Sequence, residues 1–237
     1  MPTILKVKDA ADKYHKSMPV FDIPFKILIN GKSQLSGKTT VVLNLLLNPQ
    51  FGYHDKFDGD DIYIISDNKL DNKLKMLAEY KEIPDTNVMP YDEGVLDHLY
   101  DTIEELFTEE KEEKRIKNRV IIFDDVGYSG NLKNKNFGII SKLVANGRHL
   151  NLSQIYTSQR FSMISTTVRS NLTGAILFNA PSKELELISE DFNYLMDKKT
   201  FLTMFRRETK SARGFLVINF TNKKSLYMND DFESIES

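Results

Sequence analysis

Cysteine and tryptophan are absent from the 237 residues, and histidine occurs only four times. Without cysteine there is neither a disulfide framework nor a thiolate metal centre. His15, His54, His98 and His149 have no mutual metal-ligand spacing, so a histidine-based metal site is not expected either. No apolar run approaches the roughly 18 residues of a membrane-spanning helix, and the N-terminus carries no signal-peptide pattern. The expectation is a cytosolic chain with no membrane span. A charge excess is missing as well: the net charge is −2 at pH 7. That excludes a surface that is basic all over, but it leaves room for a local basic strip that holds a phosphate backbone.

A hydrophobic share of 41% and a charged share of 28% suit an ordinary globule of one sizeable domain. Strand patterns alternate with helical ones, which predicts an α/β fold with a mostly parallel central sheet flanked by helices. Strands are expected at 25–29, 61–66, 119–125, 152–156 and 174–179. Helices are expected at 39–47, 69–80, 95–107, 139–145 and 183–197. Two short strands at 214–220 and 225–228, joined by Thr221-Asn222-Lys223-Lys224, predict a terminal hairpin. The expected organisation is an N-terminal arm at 1–20, a core at 21–181, and a C-terminal helix with a small β-hairpin appendage at 182–237 that extends the same domain. The acidic run Glu109-Glu110-Lys111-Glu112-Glu113-Lys114 reads as a solvated helix face or linker.

Between the first strand and the first helix lies Gly31-Lys32-Ser33-Gln34-Leu35-Ser36-Gly37-Lys38-Thr39-Thr40. The phosphate-binding loop pattern G-x-x-x-x-G-K-[ST] calls for glycine at 32, where lysine stands. Gly37, Lys38 and Thr39 keep their correct places. Gly37 lets the backbone approach the phosphates, Lys38 reaches their β and γ groups, and the Thr39 hydroxyl suits Mg²⁺. Either the turn opens at Gly31 with one additional residue, or Lys32 begins the loop and adds a cation near the phosphates. Gly31, Lys32, Ser33, Ser36, Gly37, Lys38, Thr39 and Thr40 are therefore the candidate ATP-binding residues.

Arg119-Val120-Ile121-Ile122-Phe123 runs directly into Asp124-Asp125. A buried strand ending in an acid supplies the second Mg²⁺ ligand opposite such a loop, which Asp124 fits together with Thr39. Asp125 is then placed to orient the attacking water, although aspartate reaches one methylene less far than glutamate. Leu152-Ser153-Gln154-Ile155-Tyr156 continues into Thr157-Ser158-Gln159-Arg160, so that Gln159 emerges at the carboxyl edge of the sheet. An amide there can touch both the γ-phosphate and the water.

The ordered set Gly37-Lys38-Thr39, Asp124-Asp125, Gly147-Arg148-His149, Thr157-Ser158-Gln159-Arg160 and Thr167-Val168-Arg169-Ser170-Asn171 resembles the FtsK–HerA superfamily of P-loop ATPases. Within it the likeness is to the poxvirus-type genome-packaging ATPases of large DNA viruses and their virophage and tailless-phage relatives. It spans roughly residues 22–180. The resemblance implies a RecA-like core, ATP hydrolysis coupled to movement of double-stranded DNA into a preformed capsid, and docking at a capsid or portal vertex. It also implies a homo-oligomeric ring, pentamer or hexamer, acting in the host cytoplasm where virions assemble or within the virion. An arginine of one subunit then completes the neighbour's site, and Arg148, Arg160 and Arg169 are the candidates, with Arg148 favoured because it ends a helix beside the glutamine strand. Lys133 and Lys135, and separately Arg206 and Arg207 with Lys210 and Arg213, are candidate DNA contacts, with Tyr128 and Phe137 as candidate base contacts. Two other readings stay open: a cellular or plasmid DNA-transfer motor, and a weakly hydrolysing nucleotide-dependent scaffold.

Overall fold

The computed structural model describes residues 20–32, 36–66, 71–125, 138–222 and 225–235. Eight strands form one sheet: β1 (Lys26–Asn30), β2 (Ile62–Ser66), β3 (Val88–Met89), β4 (Arg119–Asp124), β5 (Leu152–Ser158), β6 (Gly174–Phe178), β7 (Phe215–Asn219) and β8 (Tyr227–Met228). Their spatial order is β3-β2-β4-β5-β1-β6-β7-β8. The first six are mutually parallel, whereas β7 runs antiparallel to β6 and β8 antiparallel to β7. The central strands are apolar runs because helices cover both of their faces.

One face carries α1 (Lys38–Leu47) and α2 (Asn72–Lys81). Val41, Val42, Leu45, Leu46, Leu74 and Leu77 pack there on Ile27, Ile29, Ile64, Ile122 and Ile155. The other face carries α3 (Glu93–Glu112), α4 (Ile139–Asn146), α5 (Thr166–Ser170), α6 (Ser182–Phe192) and α7 (Lys198–Glu208) over Leu28, Ile65, Phe123 and Tyr156. Chain connections thus leave β1 and β5 on opposite faces. A crevice opens where they diverge, at the carboxyl edge.

The expected strands and helices are present, with three differences. Helix α3 runs on through Glu112, so the acidic run is its last turn rather than a linker. There Glu110 accepts hydrogen bonds from the Arg119 guanidinium and the Lys117 N–H, and Arg119 Nε lies 3.1 Å from Asp61. The single helix expected at 183–197 is two helices. The first stops at Phe192, and Asp197 starts the second by accepting the Thr200 N–H at 2.8 Å. The short strand β3 at the sheet edge carries no expected counterpart. The small C-terminal antiparallel strands are present as expected, β7 pairing with β6 along its whole length and β8 with β7. The N-terminal arm expected at 1–20 lies, but for Val20, outside the described residues.

Candidate active site

β1 leaves the sheet at Gly31, whose N–H donates to the Ser158 carbonyl at 3.0 Å. A Cβ on Gly31 would stand 2.7 Å from Ser36 Cβ and 2.8 Å from Phe178 Cβ, inside van der Waals contact. Glycine is therefore needed at 31, as the turn passes under the end of β6. Lys32 is exposed and its φ is not positive, so nothing in its backbone calls for glycine. Its carbonyl accepts from Ser36 Oγ at 2.7 Å, which ties the two ends of the loop together. Gly37, with φ at +90°, is the left-handed residue that turns the chain into α1. This supports the turn that opens at Gly31. Ser33 lies outside the described residues.

Lys38 is buried and its Nζ donates to the Gly31 carbonyl at 2.9 Å, with Asp125 Oδ1 3.8 Å away. Burial holds its pKa below the ordinary lysine value, while Asp125 and Asp124 pull it back up. Thr39 and Thr40 follow in the first turn of α1, and both are half-buried. Lys38 thus spans the crevice between the loop and the end of β4.

The two acids at that end are oriented by one hydroxyl. Thr157 Oγ1 donates to Asp124 Oδ1 at 2.9 Å and accepts the Asp125 N–H at 2.9 Å. Asp125 itself sits in the left-handed region at φ +51°, a conformation uncommon for a non-glycine residue and concentrated at functional sites. Gln159 Nε2 donates to Asp125 Oδ2 at 3.1 Å. The other carboxylate oxygen, Asp125 Oδ1, is buried and has no hydrogen-bond partner. Desolvation pushes the Asp124 carboxyl up to about 6, against the Thr157 hydrogen bond, and Asp125 and Asp71 add to the rise.

These observations fit a hard dication. Asp124 is a desolvated carboxylate, Asp125 Oδ1 carries no hydrogen bond though it faces Lys38 at 3.8 Å, and the candidate metal donors are oxygens from Thr39 and Asp124. Mg²⁺ accepts one or two carboxylates and takes the rest of its shell from waters and phosphates. No cluster of three or more His, Cys, Asp or Glu side chains exists among the described residues, so a site made of protein ligands alone is not what they offer.

Beyond Gln159 the carboxyl edge opens into a cavity of about 430 Å³ lined by Lys32, Gln159, Arg160, Pro181, Lys183 and Glu184. Arg206 and Arg207, in the last turn of α7, are exposed, as are Lys210 and Arg213. The register Phe178↔Phe215 places the segment after them at the carboxyl end of β6. This basic group therefore shares an edge with the phosphate loop. Lys133, Lys135, Tyr128 and Phe137 lie outside the described residues.

The three arginines separate. Arg148 is exposed in the short turn Gly147–Leu150 before β5. It is at the amino edge, at the start of the glutamine strand and about 20 Å of strand away from Gln159 itself. It acts on Lys26, whose pKa is lowered chiefly by burial and then by Arg148. Arg169 is ion-paired with Asp191 and lies over the Phe161 ring at 4.9 Å. Arg160 is exposed at the mouth of the site. Sequence reasoning gave no part to Thr157, although a hydroxyl two residues before the glutamine, on the same side of the strand, was a readable signal.

A strand–glycine loop–helix facing a buried strand that ends in paired acids, with a glutamine bonded to one acid, defines a P-loop ATPase. The family described as Poxvirus A32 protein matches residues 13–235, and the chain belongs to it. Among solved structures it is similar to the genome packaging NTPase B204 of Sulfolobus turreted icosahedral virus 2 in complex with ATP-gammaS. That likeness has 18% identity, covers 90% of this chain and 98% of that one, and has a TM-score of 0.57. It is also similar to B204, the DNA-packaging ATPase of Sulfolobus turreted icosahedral virus, at 18% identity, with 91% and 100% covered and a TM-score of 0.55. EssC (ATPases 2 and 3) from Geobacillus thermodenitrificans matches at 14% identity and a TM-score of 0.56, over 90% of this chain and 41% of that one. No curated protein matches the sequence significantly.

Proposed function

We propose that this ATPase is the motor of viral genome packaging. It moves double-stranded DNA into a preformed capsid, working in the host cytoplasm as a homo-oligomeric ring docked at a capsid or portal vertex. The observation that carries the reading is the chain Lys38–Asp125–Gln159, which joins the phosphate loop, the end of β4 and the end of β5.

Lys38 binds the terminal phosphates and offsets their charge. Asp125, held through its N–H by Thr157 and through its carboxylate by Gln159, orients a water for in-line attack and accepts its proton. Attack breaks the bond from the γ-phosphorus to the bridging oxygen and releases ADP and phosphate. Mg²⁺, held by Thr39 and Asp124, would neutralise charge on the β- and γ-oxygens. Gln159 bonds the water-orienting acid and is one residue from exposed Arg160, so a shift at the γ-phosphate is transmitted to the surface of the carboxyl edge.

Two features support the nucleic-acid part. The sheet's carboxyl edge gathers Lys32, Arg160, Lys183, Arg206, Arg207, Lys210 and Arg213 in a chain of net charge −2, and sequence-independent backbone contacts need only such a local strip. The B204 proteins are described as packaging ATPases and have the same fold. Arg148 stays the favoured trans-acting arginine: an amino-edge residue has no reach to its own site, and its role rests on a neighbour that presents this edge.

The test is phosphate release measured against double-stranded DNA over a series of protein concentrations. Turnover should be Mg²⁺-dependent, rise with DNA, and rise more than linearly with protein as rings assemble; Lys38→Ala should abolish it. Turnover indifferent to DNA at every protein concentration overturns the motor reading.

A further inference from the structure

The first turn of α2 borders the nucleotide site from the side opposite Gln159. Asp71 caps this helix, its Oδ1 accepting the N–H groups of Lys73 and Leu74 at 2.8 and 2.9 Å. Two residues on, Lys73 Nζ donates to Thr40 Oγ1 at 2.7 Å. Thr40 belongs to the first turn of α1, directly after Thr39. A half-buried ammonium thus lies against the phosphate loop's own helix, and among the described residues it bonds a neutral hydroxyl rather than an acid. A lysine has three donors, and one hydroxyl occupies one of them. Asp71 is near enough to Asp124 to help raise its pKa, so the same turn faces the metal-binding acid.

The placement of Lys73 follows from topology. β2 lies next to β4 on the side away from β5, so the helix after β2 packs against α1 through Leu74 and Leu77. Its first turn then reaches the N-terminus of α1. Lys38 points the other way, into the crevice toward Asp125, where the γ-phosphate reacts. Thr40 lies further round α1, on the α2 side.

We propose that Lys73 is a second phosphate-binding lysine, acting within its own subunit, and that it takes the phosphates nearer the nucleoside while Lys38 takes the terminal one. This rests on the reading of Gly31–Thr40 as the ATP site. It assigns Lys73 a role in holding ADP as well as ATP, and hence in setting how long ADP remains after hydrolysis.

The test is equilibrium binding of ATP and ADP, by titration calorimetry in the presence of Mg²⁺, to purified wild-type, Lys73→Gln, Lys73→Arg and Lys38→Ala chains. Loss of a charge-assisted hydrogen bond corresponds to a fall in affinity of about tenfold or more. Lys73→Gln should weaken ATP and ADP by a similar factor, Lys73→Arg should restore most of it, and Lys38→Ala should weaken ATP more than ADP. Lys73→Gln affinities equal to wild type, or a loss confined to ATP, overturn the proposal. A Lys38→Ala chain that binds both nucleotides like wild type overturns the underlying site instead, so the two failures are distinguishable. Thermal melting without nucleotide separates a packing role: a Lys73→Gln chain that melts well below wild type, and that Lys73→Arg does not rescue, also counts against phosphate binding.

Discussion

Asp124→Asn should make the protein more stable and inactive. The Asp124 carboxyl is pushed from an ordinary 3.8 up to about 6, chiefly by burial and then by Asp125 and Asp71. A folded-state pKa above the unfolded one means that the native chain holds this proton more tightly. Ionising Asp124 therefore costs stability, which is lost as pH climbs from about 4 to about 6 and stays lost above that. Two units correspond to about 3 kcal/mol at most. Because the side chain is partly exposed, solvent screening reduces this to about 1–2 kcal/mol. Asparagine keeps an acceptor for Thr157 Oγ1 and removes the charge. In a chain of this size the gain translates into a melting temperature about 3–6 °C higher at pH 8. At pH 4.5, where the folded carboxyl is largely protonated but the unfolded one is not, the gain should fall to about a third of its value at pH 8. The assay is thermal unfolding at both pH values in the presence of a chelator, followed by addition of Mg²⁺ and ATP. These should stabilise wild type and not the variant. A variant that melts below wild type at pH 8, or that gains equally at both pH values, refutes the argument that Asp124 is a strained, metal-seeking carboxylate.

Thr157→Val should lower kcat by about tenfold or more with little change in ATP affinity, because it strips the Asp125 N–H and the Asp124 carboxylate of their shared partner; steady-state kinetics checks the split. Gly31→Ala should destabilise by about 1–3 kcal/mol through overpacking against Phe178 and Ser36, whereas Lys32→Gly at an exposed position should shift stability by less than about 1 kcal/mol; chemical denaturation compares them. Arg169→Ala should destabilise by about 1–2 kcal/mol, since it removes the Asp191 pair and the cover over Phe161. Arg148→Ala should leave melting unchanged and abolish DNA-stimulated turnover, with partial recovery when its subunits are mixed with Lys38→Ala subunits. No recovery at any ratio counts against action in trans.

What was legible in the sequence was whatever is contiguous. Gly37-Lys38-Thr39, Asp124-Asp125 and Gln159 each sit where a strand ends, and the chemistry of each follows from that position. What was not legible depends on which strands are neighbours. Thr157 serves both acids only because β5 lies beside β4, and Lys73 meets Thr40 only because β2 lies beyond β4. Arg148 shows the same dependence: close to Gln159 along the chain, it is separated from it by the full length of β5, so the proposed role needs a neighbouring subunit. The missed break between α6 and α7 had a local cause. Tyr194, Leu195 and Met196 continue a helical apolar pattern, yet Tyr194 and Met196 are exposed, and the Asp197–Thr200 cap shows where the new helix starts.

The irregular glycine spacing is the remaining matter, and the geometry explains it. A phosphate loop makes two separate demands on its glycines. One residue must lack a Cβ where the chain leaves β1 beneath its neighbouring strand, and one must be left-handed immediately before the helix. Gly31 meets the first against Phe178, and Gly37 meets the second at φ +90°. Neither demand fixes how many residues lie between, provided that the ends of the turn are tied, as the Ser36 hydroxyl ties them to the Lys32 carbonyl. Lysine is tolerated at 32 because the position that excludes a side chain has moved to 31. The extra residue thus changes the outline of the loop without displacing Lys38 and Thr39, which start α1 and carry the chemistry.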